Sequence, residues 1–339
     1  MNVLHLSHNC CIRVIKEAMA LRSCDEVGLH HMQIEVANKE CLPVLDRCSF
    51  YRDQHQLKYR LKLLNDIDLI HCHNEPNWTV EVAKDARPDL PLVFDIHDLE
   101  SARTAPVEDL LEYERTAIRL ADAYIFPSQG YQAHARKCHN IPDSKPSEVV
   151  YSYCNNELLN LEPRPRIRGV VYEGNVSHTS DMRIAYSDQS YVSEYLKTHN
   201  IPFALYGIED ERLMKIYMDF GAMCFPVLPY GSLIENLSRY DWGYLGHPEP
   251  CRKWLDAMPN KLFEYIMAGI PVICCNAPEA GAFVEQHGLG VSIYSIHEIP
   301  EIYEQHTELR KNVQQKRHEF IMESQVETIL DLYRKVLNV

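Results

Sequence analysis

The sequence predicts an α/β fold with two Rossmann-like domains, each built around a parallel sheet. Short apolar runs recur along the chain, and each is followed by a polar loop and then by a helical pattern. The runs are continuous rather than alternating, as expected for strands that helices cover on both faces of a parallel sheet. A segment rich in Pro and Arg at residues 162–168 separates two such series and suits a linker.

These patterns set the expected domain boundaries. We predict an N-terminal domain at 1–161, the linker at 162–168, a C-terminal domain at 169–320 and a last helix at 321–339 that could pack back on the N-terminal domain. Two modules joined by one linker imply parallel sheets that face each other across a cleft. The predicted strands are residues 3–6, 67–74, 90–98 and 121–128, then 169–175, 201–208, 221–227 and 270–276. Ligands of such sheets gather outside the carboxyl ends of the strands.

Composition limits the classes of partner. The chain has 339 residues, with 34 Lys and Arg against 48 Asp and Glu, so its formal charge of −14 disfavours nucleic acid and anionic bilayers. Twelve cysteines in a long chain without an apolar leader indicate reduced thiols and a cytoplasmic location. Because no run approaches the roughly 18 apolar residues of a membrane span, membrane contact is expected to be at most peripheral.

The stretch PNKLFEYIMAGIPVICCN, at 259–276, predicts a short helix that runs into a buried strand. Pro259 suits the first turn, and Gly269 suits the position after the C-cap. The helical period separates Lys261 and Glu264 from an apolar face formed by Leu262, Phe263, Ile266 and Met267. One face is expected to pack and the other to bind. The alternative is an ordinary amphipathic helix with a solvated Lys and Glu.

The string PNKLFEYIMAGIPVI resembles the donor-nucleotide motif of the family 4-like glycosyltransferases, P-x-K-x-x-E-Y followed by A-x-G-x-P-V-I. Weaker similarity to the family extends over residues 68–74, 93–100, 112–128, 205–213 and 230–245. The resemblance implies the GT-B fold, with an acceptor-side N-terminal domain and a C-terminal domain that binds a nucleotide sugar. It further implies a retaining, metal-independent transfer of a sugar from a nucleotide-diphosphate sugar to an acceptor hydroxyl, with no cofactor beyond this co-substrate.

The resemblance also implies a set of donor-binding residues. Glu264 would accept hydrogen bonds from both ribose hydroxyls, while the helix N-terminus and Lys261 or Arg212 would neutralise the diphosphate. The usual Lys-Gly pair after the first strand of the second domain is missing, so phosphate contacts are expected to be partly rearranged there. The predicted donor-binding residues are Asn175, Arg183, Arg212, Asn260, Lys261 and Glu264.

Two further residues are predicted to be catalytic. His97 resembles the family's cleft histidine that contacts the donor sugar; the alternative is a strand-end His bonded to a neighbouring loop. Asp256 stands eight positions before Glu264, where family members often have Glu, and its shorter side chain would alter the preferred sugar. The opening loop at 7–11 carries bulky residues where the family usually has glycines.

Several alternatives stay open from the sequence. The same architecture would suit a nucleotide-sugar epimerase or an inactive sugar-nucleotide-binding protein, and the acceptor could be a glycan, a lipid-linked sugar, a protein, a small molecule or a modified nucleic acid. No metal is predicted. A zinc site formed by two loops is the less favoured alternative, because the sequence lacks a Cys-x-x-Cys pair and adjacent strand residues point to opposite faces. Its residues would be His5, His8, Cys10, His71, Cys72 and His73.

Two other groups of residues have both a functional and a structural interpretation. Asp66 and Asp68 form an Asp-x-Asp pair, which could bind a metal but leads into an apolar strand and is expected to help start it. Trp242, Tyr244 and Trp254 could form an acceptor platform or simply bury apolar area.

Overall fold

The computed structural model describes residues 1–34, 47–181 and 184–339. They form two compact units. The N-terminal unit is Met1–Asn155 with Met322–Val339, and the C-terminal unit is Asn156–Ile321. Each unit contains one parallel sheet, as predicted. Among the described residues, no helix combines the length and the apolar character that a bilayer crossing requires.

The sheet of the N-terminal unit has seven strands in the order β3-β2-β1-β4-β5-β6-β7. Its strands are β1 (Asn2–Leu6), β2 (Gly28–Ile34), β3 (Arg47–Tyr51), β4 (Leu69–His73), β5 (Leu92–Asp95), β6 (Ala123–Phe126) and β7 (Ser147–Val149). Its helices are α1 (Ile12–Arg22), α2 (Gln54–Leu63), α3 (Trp78–Ala86), α4 (Glu108–Leu120) and α5 (Gln129–His139), to which the last helix of the chain, Val326–Leu337, is added. That helix packs against α1 and β7.

The sheet of the C-terminal unit has six strands in the order β10-β9-β8-β11-β12-β13. They are β8 (Val170–Glu173), β9 (Phe203–Tyr206), β10 (Met223–Phe225), β11 (Trp242–Gly246), β12 (Val272–Cys275) and β13 (Gly290–Ile293). The helices are α6 (Ser190–Thr198), α7 (Glu211–Asp219), α8 (Tyr230–Leu237), α9 (Arg252–Leu255), α10 (Asn260–Met267), α11 (Pro278–His287), α12 (Ile299–Ile302) and α13 (His306–Lys316), and the last helix of the chain is α14. Single turns of 3-10 helix lie at Glu100–Ala102, Asn156–Asn160, Ala185–Ser187, Ile296–Glu298, Tyr303–Gln305, Arg317–Glu319 and Met322–Gln325.

All eight predicted strands are present, and their mainly apolar character is the reason, with the buried histidines of β1 and β4 as the exceptions. Every residue of β5, β6, β8 and β12 is buried, as expected for strands that helices cover on both faces. The pattern missed β2, which has the sequence GLHHMQI, because three of its buried residues are polar: His30, His31 and Gln33. Whether a polar side chain is buried inside a sheet depends on the tertiary structure, so a search for apolar runs does not predict such a strand.

Gly246, the last residue of β11, has a φ of +112°, and a Cβ there would overlap the carbonyl oxygen of Cys275. Gly246→Ala is therefore expected to destabilise the C-terminal unit by about 2–4 kcal/mol through backbone strain and overpacking. Gly231→Ala in α8 is the matched control: its Cβ would meet nothing within 4 Å, so a neutral or slightly stabilising effect is expected. Denaturant unfolding followed by tryptophan fluorescence measures both, and equal midpoints for the two variants would contradict the prediction.

Candidate functional site

Helix α10 begins and ends where its sequence indicates. Pro259 is its N-cap and makes no side-chain cap, Ala268 is its C-cap, and Gly269 follows with a φ of +76°. The alternative of an ordinary amphipathic helix with a solvated Glu264 is wrong, since Glu264 is only 4% exposed. The physical reason is that α10 packs against α8, β11 and β12, so more of its circumference is covered than a two-faced helix would allow.

Lys261 reaches from the first turn of α10 to the carboxyl end of β8. Its Nζ lies 3.7 Å from the ring centroid of Tyr172 and 5.9 Å from that of Trp254. A Cβ added to Gly174, the residue after β8, would come 3.1 Å from the same Nζ. The ammonium group is thus held over an aromatic face, a favourable place for a cation, beside a glycine at the edge of the sheet.

Glycines with positive φ lie at the carboxyl ends of three strands that are neighbours in this sheet. Gly174 follows β8 (φ +109°), Gly207 follows β9 (φ +100°) and Gly246 ends β11. A Cβ on Gly207 would lie 3.1 Å from the carbonyl oxygen of Gly174, so these two backbones approach each other closely. Backbone without side chains at a strand end leaves room for a ligand to approach the main chain.

Tyr265, beside Glu264 in α10, joins this edge to the sheet. The backbone N–H of Glu173 donates to the Tyr265 hydroxyl oxygen (3.0 Å), and that hydroxyl donates to the carbonyl of Tyr244 (3.1 Å). The ring packs where Gly243 has no side chain. Tyr265 therefore fixes α10 relative to both β8 and β11, which positions Lys261 at the strand ends.

The other predicted residues of the C-terminal unit lie in separate places. Asn175 is exposed directly after Gly174, and Arg212 is the exposed second residue of α7. Asn260 is the half-buried first residue of α10, and Asp256 is the half-buried C-cap of α9. Arg183 lies outside the described residues. Of these residues, Asn175 is next to Gly174 in the chain, and Gly174 is the residue that Lys261 approaches.

In the N-terminal unit, His97 lies two residues beyond β5 and uses both ring nitrogens. Nε2 is 2.9 Å from Oδ2 of Asp95, and Nδ1 is 3.5 Å from Sγ of Cys11. Its backbone N–H donates to Oδ1 of Asn74 (2.6 Å), so the residue is also bonded to a neighbouring loop. The side chain is 17% exposed. His97 is therefore a fixed side chain at the carboxyl edge of the first sheet with access to solvent.

Asp95, fully buried at the end of β5, is the centre of this group. Arg13 of α1 donates to it through Nε (3.1 Å) and Nη2 (3.0 Å), and Nδ1 of His73 lies 2.9 Å away. Burial would raise the pKa of the Asp95 carboxyl, but Arg13 and then His97 hold it well below its ordinary value. Glu17, also buried, lies 3.1 Å from Arg13, and its pKa is raised by burial and by the charge of Asp95. Asp95 is thus the ionised carboxylate of the pair, and Arg13 is its counter-ion.

Three of the six residues weighed as a zinc site do come together. Ring centroids of His5, His71 and His73 lie 4.3–5.1 Å apart, and burial lowers the pKa of each ring. His8, Cys10 and Cys72 do not join them: His8 lies 3.3 Å from the Tyr51 hydroxyl, Cys72 lies 3.3 Å from the Thr79 hydroxyl, and Cys10 is 2% exposed in the core.

Ligand atoms of Glu17, His71, His73 and Asp95 all lie within 4.8 Å of one another, close enough to share one ion. Arg13, however, already bonds the Asp95 carboxylate and contacts that of Glu17. A divalent ion beside this guanidinium would leave excess positive charge in a buried place, which is costly. We therefore assign Arg13 as the cation of this cluster.

For the aromatic group and for the Asp66–Asp68 pair, the structure supports the structural interpretation. Trp242 and Tyr244 are fully buried in β11 and Trp254 is 3% exposed, so an acceptor platform is wrong for these rings. Asp66 pairs with Arg47, and Asp68 accepts from the backbone N–H of Asn2. Sequence reasoning missed Cys11, Arg13, Glu17 and Asp95 as site residues. The i, i+4 pair Arg13–Glu17 at the start of a helix rich in apolar residues was the available signal.

Comparison with known proteins agrees with this architecture. Residues 21–152 match the model of Glycosyltransferase Family 4, and residues 255–324 match that of the Glucosyltransferase 3-like, C-terminal domain. None of the curated proteins matches the sequence.

Solved structures are similar over the whole chain. HepE of Anabaena in complex with UDP is 15% identical with a TM-score of 0.75, covering 99% of this chain and 100% of that one. Sucrose-phosphate synthase from Thermosynechococcus elongatus is 15% identical with a TM-score of 0.72, covering 100% and 99%. An alpha-glucosyltransferase in complex with UDP and a 13-mer DNA is 12% identical with a TM-score of 0.67, covering 100% of both chains. The two family matches agree with the predicted resemblance to the family 4-like glycosyltransferases, and the likeness to these structures confirms the GT-B fold.

Proposed function

We propose that this glycosyltransferase uses a uridine-diphosphate sugar as donor and binds it at the carboxyl edge of β8, β9 and β11. One observation carries the proposal: Lys261, at the start of α10, holds its ammonium group beside Gly174 at the strand edge. HepE has been crystallised with UDP-glucose, and the alpha-glucosyltransferase with UDP. The match of residues 255–324 to a glucosyltransferase domain supports glucose as the first sugar to test.

The diphosphate is the part of the donor that this edge suits best. The N-terminus of α10 carries a partial positive charge, and Lys261 adds a full one. The closely spaced backbones of Gly174 and Gly207 leave space for phosphate oxygens near the main chain. Asn175 and Arg212, exposed after β8 and at the start of α7, are proposed as additional phosphate contacts.

Glu264 is proposed to bind the ribose. The residue is 4% exposed, and a buried carboxylate forms shorter and stronger hydrogen bonds to hydroxyl donors than a solvated one. A ribose diol offers two such donors at once. Asp256 and Asn260, both half-buried at the start of this region, are proposed to lie on the sugar side of the diphosphate.

We further propose that the transfer is retaining and metal-independent. Lys261 and the helix N-terminus would stabilise the leaving diphosphate in place of a divalent ion, so catalysis would rest on positioning and charge stabilisation. The leaving phosphate would take the proton of the attacking acceptor hydroxyl on the same face of the sugar. His97 is proposed to contact the donor sugar, as the family resemblance implies. The free thiols of the described residues support a reducing compartment, the cytoplasm.

A thermal-shift screen tests the donor. UDP and UDP-glucose are expected to raise the melting temperature, since a ligand at about 100 times its Kd stabilises the native state by about 2.7 kcal/mol. The guanosine, adenosine and cytidine diphosphates are expected to have smaller effects at the same concentration. The shift is expected to persist in EDTA. A larger shift with another base would overturn the choice of donor, and loss of transfer in EDTA that Mg²⁺ restores would overturn metal independence.

A further inference from the structure

Cys11, His97 and Asp95 are arranged as a nucleophile, a base and a residue that orients the base. Cys11 is the N-cap of α1, and its sulfur faces Nδ1 of His97 at 3.5 Å. Nε2 of the same ring is 2.9 Å from Asp95. The imidazole therefore lies between thiol and carboxylate with one ring nitrogen toward each, the arrangement that activates nucleophilic cysteines.

The orienting residue is itself fixed. Asp95 is completely buried and receives two hydrogen bonds from Arg13. Its oxygens are thereby held in place, so His97 directs Nε2–H at the carboxylate and presents Nδ1 to the sulfur. A histidine with only a structural role at the end of a strand needs one hydrogen-bond partner. In His97 both ring nitrogens have one: Nδ1 faces Cys11 at the start of α1, and Nε2 faces Asp95 of β5.

The charges of this group favour a thiolate. Burial alone would raise the pKa of the Cys11 thiol, but the charge of His97, its hydrogen bond and the amides of Val14 and Arg13 lower it to about 7. Burial would lower the pKa of His97, but Asp95 and Cys11 raise it to about 10. With Asp95 ionised beside Arg13, a Cys11 thiolate and a His97 imidazolium balance the remaining charge.

Other thiols of the chain contrast with Cys11. Burial raises the pKa of Cys72 to about 12 and that of Cys275 to about 11, and both are core residues. Cys138 is exposed, and its sulfur lies 3.5 Å from Nε2 of His134 on its own helix. Cys11 combines partial exposure with the fixed His97, whose side chain is 17% exposed. Cys11 is therefore open in part to solvent, as reaction with a small reagent requires.

We propose that Cys11 is a covalent modification site, a nucleophilic thiol organised by His97 and Asp95 that reacts with small soft electrophiles such as peroxides. In that reaction the Cys11 sulfur attacks one peroxide oxygen, the S–O bond forms and the O–O bond breaks. The leaving hydroxide takes a proton from His97 and departs as water. Sulfur loses two electrons to the peroxide and becomes sulfenic acid, which a thiol can reduce.

The modification has a consequence for transfer that rests on the proposed function. A sulfenic acid no longer supplies the negative charge that His97 faces, so the orientation and charge of His97 would change. Peroxide is therefore expected to lower transferase activity and dithiothreitol to restore it. The residual activity of Cys11→Ser, whatever its level, is expected to be insensitive to the same peroxide treatment.

The primary test needs no donor or acceptor and so is independent of the proposed function. The full chain is treated with limiting iodoacetamide between pH 5 and 10, and peptide mass spectrometry gives the alkylation rate of each thiol, with Cys138 as the internal control. The groups that face His97 are Asp95, Cys11 and His73, with Arg13 and Glu17 behind them. Wild-type Cys11 is expected to reach half its maximal rate near pH 7.

His97→Asn should move that midpoint upward by at least one pH unit and lower the Cys11 rate at pH 7 by roughly tenfold. The Cys138 rate is expected to be unchanged, and the buried Cys72 is expected to stay unlabelled, which reports that the variant is folded. A wild-type Cys11 that stays unlabelled, or one that titrates like an ordinary thiol near pH 9, overturns the proposal without any variant. Equal profiles for wild type and His97→Asn would remove the role of His97.

Discussion

Arg13→Met is expected to lower the free energy of unfolding of the N-terminal unit by roughly 3–5 kcal/mol. Methionine nearly preserves the length of the side chain but removes the guanidinium that donates to Asp95 and contacts Glu17. Two fully buried carboxyl groups would then share one place without their cation. The pKa of Arg13 is raised because Asp95 and Glu17 outweigh the effect of burial, so the native state favours the charged form.

Hydrogen–deuterium exchange of peptides that cover β4 and β5 measures this effect in the N-terminal unit. Arg22→Met is the matched control, since Arg22 is exposed in the last turn of the same helix and its loss is expected to cost well under 1 kcal/mol. Adding Asp95→Asn to Arg13→Met should recover part of the loss, because the two residues interact directly. Equal protection in Arg13→Met and Arg22→Met would show that the guanidinium is not the counter-ion of this cluster.

Glu264→Gln is expected to raise the Kd for UDP by about 10- to 100-fold. A hydrogen bond to a charged group contributes roughly 1.5–3 kcal/mol, and glutamine keeps the shape of the side chain while it removes the charge. Glu264 is 4% exposed within α10, so the effect of removing its charge is not weakened by solvent screening as it would be at the surface.

Isothermal titration with UDP measures the change. Glu304→Gln serves as control because Glu304 is an exposed carboxylate of the same unit, and it should bind UDP like the wild type. A far-UV circular dichroism spectrum and a melting temperature, both compared with those of the wild type, test whether Glu264→Gln is folded. Unchanged UDP affinity in a folded Glu264→Gln variant would refute the ribose assignment.

Much of the fold follows from local sequence because local rules decide it. The eight predicted strands are mainly apolar runs, although β1 contains His5 and β4 contains His71 and His73, and the bounds of α10 follow from Pro259 and Gly269. Strands β11 and β13 escaped the pattern for a different reason. Glycines interrupt β11 at Gly243 and Gly246, and β13 begins with Gly290, although in the structure these glycines let Tyr265 and neighbouring backbone approach.

Some residues of the candidate site were predicted from the sequence, and others were recognised only in the structure. Lys261 and Glu264 were found because they belong to one short motif, but only packing shows that Glu264 is buried. The group around Asp95 was found in part, through His97. Its other members come from α1, β4 and β5, and no spacing in the sequence relates Cys11 to residue 97.

The sequence by itself determined the class of fold, the motif of α10 and the resemblance to a glycosyltransferase family, because each depends on neighbouring residues in the chain. Only the tertiary structure decided that Arg13, His73 and His97 meet around Asp95 and that the rings weighed as an acceptor platform are core. The reason is that periodicity specifies which face of an element is apolar, whereas the order of strands in a sheet and the packing of helices on it specify which side chains become neighbours.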